Sequence, residues 1–451
     1  MNSYSSRLNN LIPGGCHTYS RGDDQFPANA PQILTRGKGA HVWCPERKYL
    51  DYGMGLRAIT LGYADERVNS AAIEQINNGN NLTRASAIEL AAAETMLDLI
   101  PGAEMVKFAK NGSNVTTAAV KLARAYTGKK YVARCSQHPF FSFDDWFIGN
   151  TVIKKGVPKE VQDLTLRFEY NNRKSVDKLF EESNDIAALI LEPASIQSPC
   201  ISKDCDLSSR CKLDKTQKCK DEENFLQYLR RKCDENNCVF ILDEMVTGFR
   251  WHLSGAQALY DVVPDLSTFG KGMANGFSIS ALCGKKEIMS LGGIQDAGSE
   301  RTFLLSTTHG AEMSSLGAFI ETVKIYQEKN VVDHMWSYGR ELKERANQVS
   351  SKLGLKDCFY IDGFDCSPYF VTNNKLGSSC FKMRTIFCQE MIKAGVLMPW
   401  ISVSLSHGKE ELEKTLGAIE ESLKLYADAL ESPDKFVIND HVLKPVFRKF
   451  N

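Results

Sequence analysis

Short runs of consecutive apolar residues alternate with amphipathic segments through the middle of the chain. A continuous apolar run bounded by turn residues is typical of a buried strand, whereas a period of 3.6 residues is typical of a helix. The runs predict strands at 104–109, 129–135, 186–193, 238–245, 266–269 and 279–284. Segments 114–128 and 225–237 have the helical period, and Gly128 is a stop signal for the first of them. The alternation predicts a parallel sheet covered on both faces by helices.

Polar residues stand where several of these strands end. Asn111, Glu192 and Asp243 each follow or close an apolar run. In a parallel α/β sheet, ligands gather at the carboxyl ends of the strands. We therefore expect these three side chains to belong to one site.

The pattern changes near residue 311, where long helices begin. It predicts a large domain at 61–310 and a smaller domain at 311–451, because a chain of this length exceeds one hydrophobic core. The strand-like residues within 1–60 are expected to pack with the smaller domain. The polar, irregular segment 198–224 separates two core elements and is interpreted as an inserted surface loop.

Charge and hydropathy narrow the class of protein. The 451 residues carry 55 basic and 55 acidic side chains, so the formal net charge is zero. This removes the electrostatic basis for binding nucleic acid or an anionic membrane. No apolar run reaches the length of a membrane span, and the N-terminus has no apolar signal-peptide core. We expect a cytoplasmic enzyme that acts on small molecules.

The stretch FGKGMANG, residues 269–276, places Lys271 between two glycines just after a predicted strand. Glycines let the backbone come close to a ligand. With Asp243 at an earlier strand end and the Asn-Gly-Ser turn at 111–113, the chain offers the groups that pyridoxal phosphate needs. These are a lysine for a Schiff base, a carboxylate for the ring nitrogen, and a helix N-terminus for the phosphate.

Each of these features taken alone has a plainer interpretation. A Gly-Lys-Gly is commonly only a turn, an Asp-Glu at a strand end is commonly a helix cap, and Asn-Gly-Ser is commonly a turn. Their order within a parallel α/β pattern is what favours the cofactor hypothesis.

Longer motifs extend the hypothesis to a family. ILDEMVTGFRW, PDLSTFGKGMANGFSISALCG, IPGGCHTYSRGDDQFP and NGSNVTTAAVKLARAYTGKK resemble the class III, fold-type I pyridoxal-phosphate aminotransferases, and among them the glutamate-1-semialdehyde aminomutase-like group. The resemblance runs from about residue 7 to residue 425, apart from the insert. It implies a large α/β domain with a mostly parallel seven-stranded sheet and a smaller α+β domain formed by both termini. It also implies a homodimer with shared active sites.

The resemblance also assigns roles to individual residues. Lys271 would hold pyridoxal phosphate and carry the proton, and Asp243 would pair with the ring nitrogen. Asn111, Gly112 and Ser113 would bind the phosphate. The remaining implied contacts are Met245 under the ring, Gln197 at the phenolic oxygen, and Thr307 or Thr308 at the phosphate of the partner subunit's cofactor.

The chain departs from the family pattern after the second strand. The family has Tyr-His-Gly there, whereas this chain has Gln137, His138 and Pro139. His138 is the first candidate to stack on the cofactor ring and Phe140 the second; the alternative is that His138 only orders a loop. Asn114 replaces a glutamate that often follows the phosphate turn in the family.

Two further groups are candidates for binding. Arg57, in GMGLRAITLG, lies where the family contacts substrate and would bind a carboxylate or phosphate; the alternative is an ion pair. The insert carries four cysteines without a CxxC pair, so a zinc site is a weaker interpretation than free thiols. These are Cys200, Cys205, Cys211 and Cys219.

Three functions remain open from the sequence. The first is an aminotransferase that moves an amino group from a donor such as glutamate to an aldehyde or ketone. YSRGDDQFP resembles relatives that accompany polysaccharide synthesis, so the acceptor is expected to be carbohydrate-derived. The second is an aminomutase of the glutamate-1-semialdehyde type. The third is a protein that binds pyridoxal phosphate without catalysis.

Overall fold

The computed structural model describes residues 3–199 and 223–450, which form two compact units. Unit 2 comprises Arg67–Glu328, and unit 1 comprises Met1–Glu66 with Lys329–Asn451. The strands are β1 Arg36–Lys38, β2 His41–Trp43, β3 Lys48–Asp51, β4 Met105–Ala109, β5 Tyr131–Cys135, β6 Thr165–Phe168, β7 Ile186–Leu191, β8 Val239–Asp243, β9 Leu266–Phe269, β10 Ser280–Gly284, β11 Phe359–Phe364, β12 Ser367–Thr372 and β13 Val396–Leu397.

Helices connect most of these strands. They are α1 Tyr4–Leu11, α2 Met54–Arg57, α3 Glu66–Asn77, α4 Ala87–Leu99, α5 Gly112–Thr127, α6 Asp145–Ile148, α7 Lys159–Gln162, α8 Arg173–Glu182, α9 Phe225–Glu235, α10 Ala256–Leu259, α11 Lys286–Met289, α12 Met313–Lys329, α13 Val331–Lys352, α14 Phe381–Lys393 and α15 Lys409–Ala429. The predicted stop of α5 is confirmed, because Gly128 closes it in the left-handed conformation.

Unit 2 is built on a seven-stranded sheet in the order β4-β10-β9-β8-β7-β5-β6. Only β10 runs against its neighbours, so the predicted mostly parallel sheet is confirmed. Strands β7 and β8 are buried along their whole length, which explains their unbroken apolar sequences. The carboxyl ends of six strands therefore meet at one edge.

The core of unit 2 lies between this sheet and its helices. Side chains of β7 and β8 pack with those of α8 and α9 in a single apolar cluster, represented by Leu189, Phe240 and Leu229. The sequence pattern assigned no strand to β6, because this four-residue edge strand has Arg167 in its middle and exposes it.

Unit 1 has its own four-stranded sheet, in the order β1-β2-β3-β13, and a two-stranded sheet of β11 and β12. The first sheet joins the two ends of the chain, since β3 pairs in parallel with β13. Val42, Tyr49, Ile392 and Leu397 pack together beneath it. The strand-like residues near the N-terminus thus belong to the same unit as the C-terminal helices.

Candidate functional site

The ends of β8 and β9 hold a buried carboxylate in a fixed position. Asp243, the last residue of β8, is 2% exposed. Its Oδ1 accepts hydrogen bonds from the backbone N–H of Met245, at 3.0 Å, and from the Thr268 hydroxyl, at 3.2 Å. Thr268 is the register partner of Asp243 across the parallel pair. Two donors on one oxygen leave Oδ2 as the atom available to a ligand.

This carboxylate lies where ionisation is disfavoured. Burial and the neighbouring Glu192 carboxylate raise the pKa of Asp243 to about 7, although the Met245 amide, the Lys271 ammonium and the Thr268 hydroxyl act in the opposite direction. A buried acid at a strand end needs a positive partner to remain ionised near neutral pH. The position is therefore suited to a cationic ligand group.

Lys271 follows β9 by two residues and has a positive φ of 42°. A lysine in the left-handed region is unusual, and such strained residues cluster at ligand-binding sites. Its ammonium group is close enough to lower the pKa of Asp243. The two residues that sequence reasoning selected as catalytic are therefore electrostatic neighbours.

Two glycines make room for a methionine beside these residues. A Cβ at Gly270 would lie 2.7 Å from the Met245 Sδ, and one at Gly112 would lie 2.8 Å from the same atom. Real Cβ atoms do not approach sulfur so closely, so any larger residue would displace Met245. This explains in physical terms why glycine stands at both positions.

The N-terminus of α5 lies after β4, at the same edge of the sheet. Asn111 caps the helix, with its Oδ1 accepting from the Asn114 N–H at 3.1 Å. The Ser113 hydroxyl accepts from the Phe143 N–H at 3.1 Å. Within the described residues the backbone N–H groups of Gly112 and Ser113 have no hydrogen-bond partner, and such amides at a helix N-terminus favour an anion.

The segment after β5 shows what Gln137, which stands where the family has tyrosine, contacts in this structure. Gln137 Oε1 accepts from the Tyr170 N–H at 3.0 Å and from the Cys135 thiol at 3.3 Å, so this side chain ties the ends of β5 and β6 together. His138 is buried, and its Nδ1 accepts from the Glu192 N–H at 3.0 Å. Burial lowers the pKa of His138 to about 3, which leaves the ring neutral.

The two stacking candidates differ in their surroundings. The His138 ring lies 5.4 Å from that of Tyr170 and 6.1 Å from that of Phe141. Phe140 is 44% exposed, and its ring lies 5.7 Å from that of Phe147. Which of the two stacks on a cofactor stays a prediction.

The other predicted residues lie on loops. Gln197 is half-buried in the segment after β7, and Thr307 and Thr308 are exposed in the segment before α12. The Asn81 amide donates to the Thr308 carbonyl at 3.1 Å. The four cysteines proposed as zinc ligands lie outside the described residues. Among the residues that are described, no group of three or more His, Cys, Asp or Glu side chains is arranged to hold a metal ion.

Arg57 belongs to unit 1 and ends a strained turn. Met54, Gly55, Leu56 and Arg57 all have positive φ, from 40° to 70°, so α2 is a left-handed turn. Strain of this kind persists only where the surroundings impose it. Here the Asp51 carboxylate accepts from the N–H groups of Gly53, at 2.8 Å, and Met54, at 2.9 Å.

Sequence reasoning missed several residues at the sheet edge. Thr268 holds Asp243, and Glu192, which was noted only for its place at a strand end, shifts the pKa of Asp243. The Ser195 hydroxyl is buried and has no hydrogen-bond partner among the described residues. Thr268 lies two residues before Gly270, but no local sequence pattern marks it as a partner of Asp243. Its contact with Asp243 results from the pairing of β9 with β8.

Comparison with known proteins supplies independent information. The model of the class-III aminotransferases matches residues 21–200 and 219–358. The 3-aminobutyryl-CoA aminotransferase of Cloacimonas acidaminovorans is 30% identical over 425 residues, which is 92% of this chain and 94% of that protein. The glutamate-1-semialdehyde 2,1-aminomutase of Francisella philomiragia subsp. philomiragia is 28% identical over 427 residues, 90% and 93% of the two chains.

Solved structures show the same fold. The PLP internal aldimine form of the FumI protein from Sphingopyxis sp. MTA144 aligns with a TM-score of 0.81 at 24% identity, covering 96% of this chain and 99% of that one. A glutamate-1-semialdehyde aminomutase from Pseudomonas aeruginosa PAO1 aligns with a TM-score of 0.78 at 16% identity, covering 94% of each chain. The predicted fold-type I architecture is confirmed. No helix among the described residues is long and apolar enough to cross a membrane.

Proposed function

The chain belongs to the class-III aminotransferase family, and on this premise we propose that it moves an amino group from a donor such as glutamate to an aldehyde or ketone, with Lys271 and Asp243 as its catalytic residues. The observation that carries the proposal is the buried Asp243 carboxylate, held by Met245 and Thr268 and within electrostatic reach of Lys271.

The residues at the sheet edge fit pyridoxal phosphate, the cofactor of this family. When bound, it supplies an aldehyde that takes up the amine and a ring that stores electrons. The raised pKa of Asp243 matches a carboxylate that awaits a cationic ring nitrogen. The orphaned Ser195 hydroxyl, after β7, is a further group suited to a polar ligand atom.

Each residue then has a physical task. The Lys271 amine would hold the aldehyde and would move a proton as general base and then general acid. Asp243 would keep the ring nitrogen protonated. The amides of Gly112 and Ser113, beside the Asn111 cap, would bind the phosphate. Met245, which lies against the two glycines, would contact the ring.

The remaining contacts are proposed from the family resemblance. Gln197 would bind the phenolic oxygen, and His138 or Phe140 would stack on the ring. Thr307 or Thr308 would reach the phosphate of the partner subunit's cofactor, which requires a homodimer. Arg57 would bind an anionic group of the substrate.

The acceptor is the open chemical question. The segment YSRGDDQFP favours a carbohydrate-derived carbonyl, whereas the name of the relative from Cloacimonas indicates a coenzyme A ester. The second candidate function is an aminomutase, which the similarity to glutamate-1-semialdehyde 2,1-aminomutases favours. Gln137 and Asn114, which depart from the family pattern, argue against it. Binding of the cofactor without catalysis is the third candidate.

The test compares wild-type protein with Lys271→Ala, and uses Lys121→Ala, an exposed lysine on α5, as the matched control. We expect the yellow absorption band of the bound cofactor to bleach when glutamate is added to the wild type and the control. Lys271→Ala is expected to lose turnover by at least about 10³-fold. If it keeps both the yellow band and turnover, the lysine assignment is wrong.

The same protein distinguishes the three functions. The amine-loaded form is offered a sugar ketone, 3-oxobutyryl-CoA and glutamate-1-semialdehyde, and recovery of the yellow band is followed. Recovery with a ketone supports the aminotransferase. Rapid formation of 5-aminolevulinate from the semialdehyde would instead favour the aminomutase. A band that no amino donor bleaches would favour a protein without catalysis.

A further inference from the structure

Unit 1 contains a cavity that the proposed reaction does not use. It has a volume of about 360 Å³, within the size range of small-molecule sites. Its walls come from the end of β12, the start of α14, the segment after β13 and the C-terminal tail. The residues that matter for its chemistry are Phe370, Phe381, Arg384, Trp400 and Lys444.

The charged residues that line this cavity are all positively charged. Arg384 and Lys444 line it, and none of the thirteen lining residues is an aspartate or glutamate. Within the described residues neither cation forms an ion pair. The nearby acid Asp24 is already neutralised by Arg448, at 2.6 Å. The cavity therefore offers two uncompensated positive charges to a ligand.

Arg384 is held in place by contacts that leave part of its guanidinium available. Its Nη2 donates to the Pro399 carbonyl at 2.7 Å, and its Cζ lies 4.3 Å from the centre of the Phe370 ring. A guanidinium has five N–H donors and recognises phosphate or carboxylate groups with paired hydrogen bonds. Fixing it against a ring reduces the entropy lost when it binds an anion.

The start of α14 adds to the same electrostatic preference. Cys380 occupies the N-cap position and makes no side-chain hydrogen bond to the helix. The first backbone N–H groups of a helix have no partner within it, and the helix dipole is positive at this end. Because Cys380 and Phe381 line the cavity, these donors border the space that Arg384 and Lys444 also face.

The C-terminal tail fixes Lys444 at the rim. The Lys444 N–H donates to the Asp24 carbonyl at 3.0 Å, and its own carbonyl accepts from the Gln25 amide at 2.9 Å. The preceding Leu443 N–H donates to the Thr385 hydroxyl at 3.0 Å. These bonds use only the backbone of Lys444, and its ammonium makes no hydrogen bond within the described residues.

We propose that this cavity binds a ligand that carries both a phosphate and a flat ring, as a nucleotide does, in which a ribose joins the two. The two cations and the helix start recognise the phosphate, and the walls formed by Phe370, Phe381 and Trp400 accommodate the ring. The volume exceeds what an inorganic anion fills. The assignment holds for any acceptor of the amino group, because it rests on residues that the proposed reaction does not use.

The test measures binding to the cofactor-loaded protein by calorimetry, with ADP, adenosine and inorganic phosphate as separate probes. Saturation with cofactor keeps ADP out of the α5 phosphate site. We expect ADP to bind more tightly than adenosine or phosphate. Arg384→Gln and Lys444→Gln are each expected to weaken ADP binding at least about tenfold, the loss typical of one charged hydrogen bond.

Lys382→Gln is the matched control, because it removes the same charge from the same helix turn but Lys382 pairs with Asp434 and does not line the cavity. It is expected to leave ADP affinity unchanged. Lys444→Gln keeps the result interpretable if Arg384→Gln misfolds, since the Lys444 side chain is exposed. No ADP binding, equal affinity in all variants, or phosphate binding as tight as that of ADP would overturn the assignment.

Discussion

The strand ends at Asp243 and Lys271 and the turn Met54–Arg57 each present side chains proposed to act on small molecules, but they hold them by opposite means. Asp243 continues a regular strand, and parallel register with Thr268 positions its carboxylate. Arg57 instead ends four consecutive residues with positive φ. At Asp243 a negative charge is disfavoured within a regular strand, whereas Arg57 holds its side chain at the end of a strained turn.

The two regions differ in the kind of unfavourable energy that they contain. A left-handed non-glycine residue costs roughly 1–2 kcal/mol, so Met54, Leu56 and Arg57 together represent a considerable strain. Hydrogen bonds that its backbone N–H groups donate to Asp51 and Tyr63 hold that turn; the Tyr63 hydroxyl accepts from the Gly55 N–H at 2.9 Å. At Asp243 the cost is electrostatic, so it depends on pH and on a bound cation. A substitution that removes a charge should therefore have its larger effect at Asp243, whereas a substitution that relieves backbone strain at positive φ should have its larger effect in the turn Met54–Arg57.

The largest effect is expected from Asp243→Asn. The amide keeps the size of the side chain but cannot hold a proton on the ring nitrogen, so kcat/KM is expected to fall by about 10²–10⁴. Glu244→Gln is the control, because it makes the same chemical change one residue later, on a side chain that caps α10. Steady-state kinetics with saturating cofactor measure both. Equal losses in the two variants would mean that Asp243 acts only through stability.

A smaller effect concerns stability and pH. Burial raises the pKa of Glu244 to about 7, although the Thr247 hydroxyl and two backbone N–H groups oppose the shift. Because the folded protein favours the protonated form, this contribution to stability is fully present below pH 4.5 and is lost as the pH rises through 7. The wild type should therefore lose about 3 kcal/mol relative to Glu244→Gln between pH 4.5 and 8.

Urea unfolding of the cofactor-free protein at several pH values measures this difference. Using the difference between the two proteins removes the contributions of carboxylates that both share. The lost hydrogen bond of Glu244→Gln adds a constant offset, but it does not change the slope. A difference that is flat from pH 4.5 to 8 would show that Glu244 ionises normally.

Some features of these two regions were predictable from the sequence and others were not. The sheet was predictable because continuous apolar runs are local signals, and the Gly-Lys-Gly turn is the local signal that selected Lys271 as a candidate. The contact of Thr268 with Asp243 joins residues 25 apart through strand pairing, which no local pattern encodes. The turn at Met54 and Leu56 was not predictable either, because these residues disfavour positive φ and the buried Asp51 imposes it.

The smallest effect separates strain from function in the turn. Arg57→Ala and Arg57→Gly both remove the guanidinium, so both should raise the KM of an anionic substrate about tenfold or more. They differ only in the Cβ methyl group, which disfavours the φ of 70° found at this residue, whereas glycine adopts that φ without strain. Arg57→Gly should therefore be more stable than Arg57→Ala by about 1 kcal/mol, net of the greater backbone entropy of glycine when unfolded. Equal stability of the two variants, measured by urea unfolding, would mean that the turn relaxes when the arginine is removed and stores no strain at this residue.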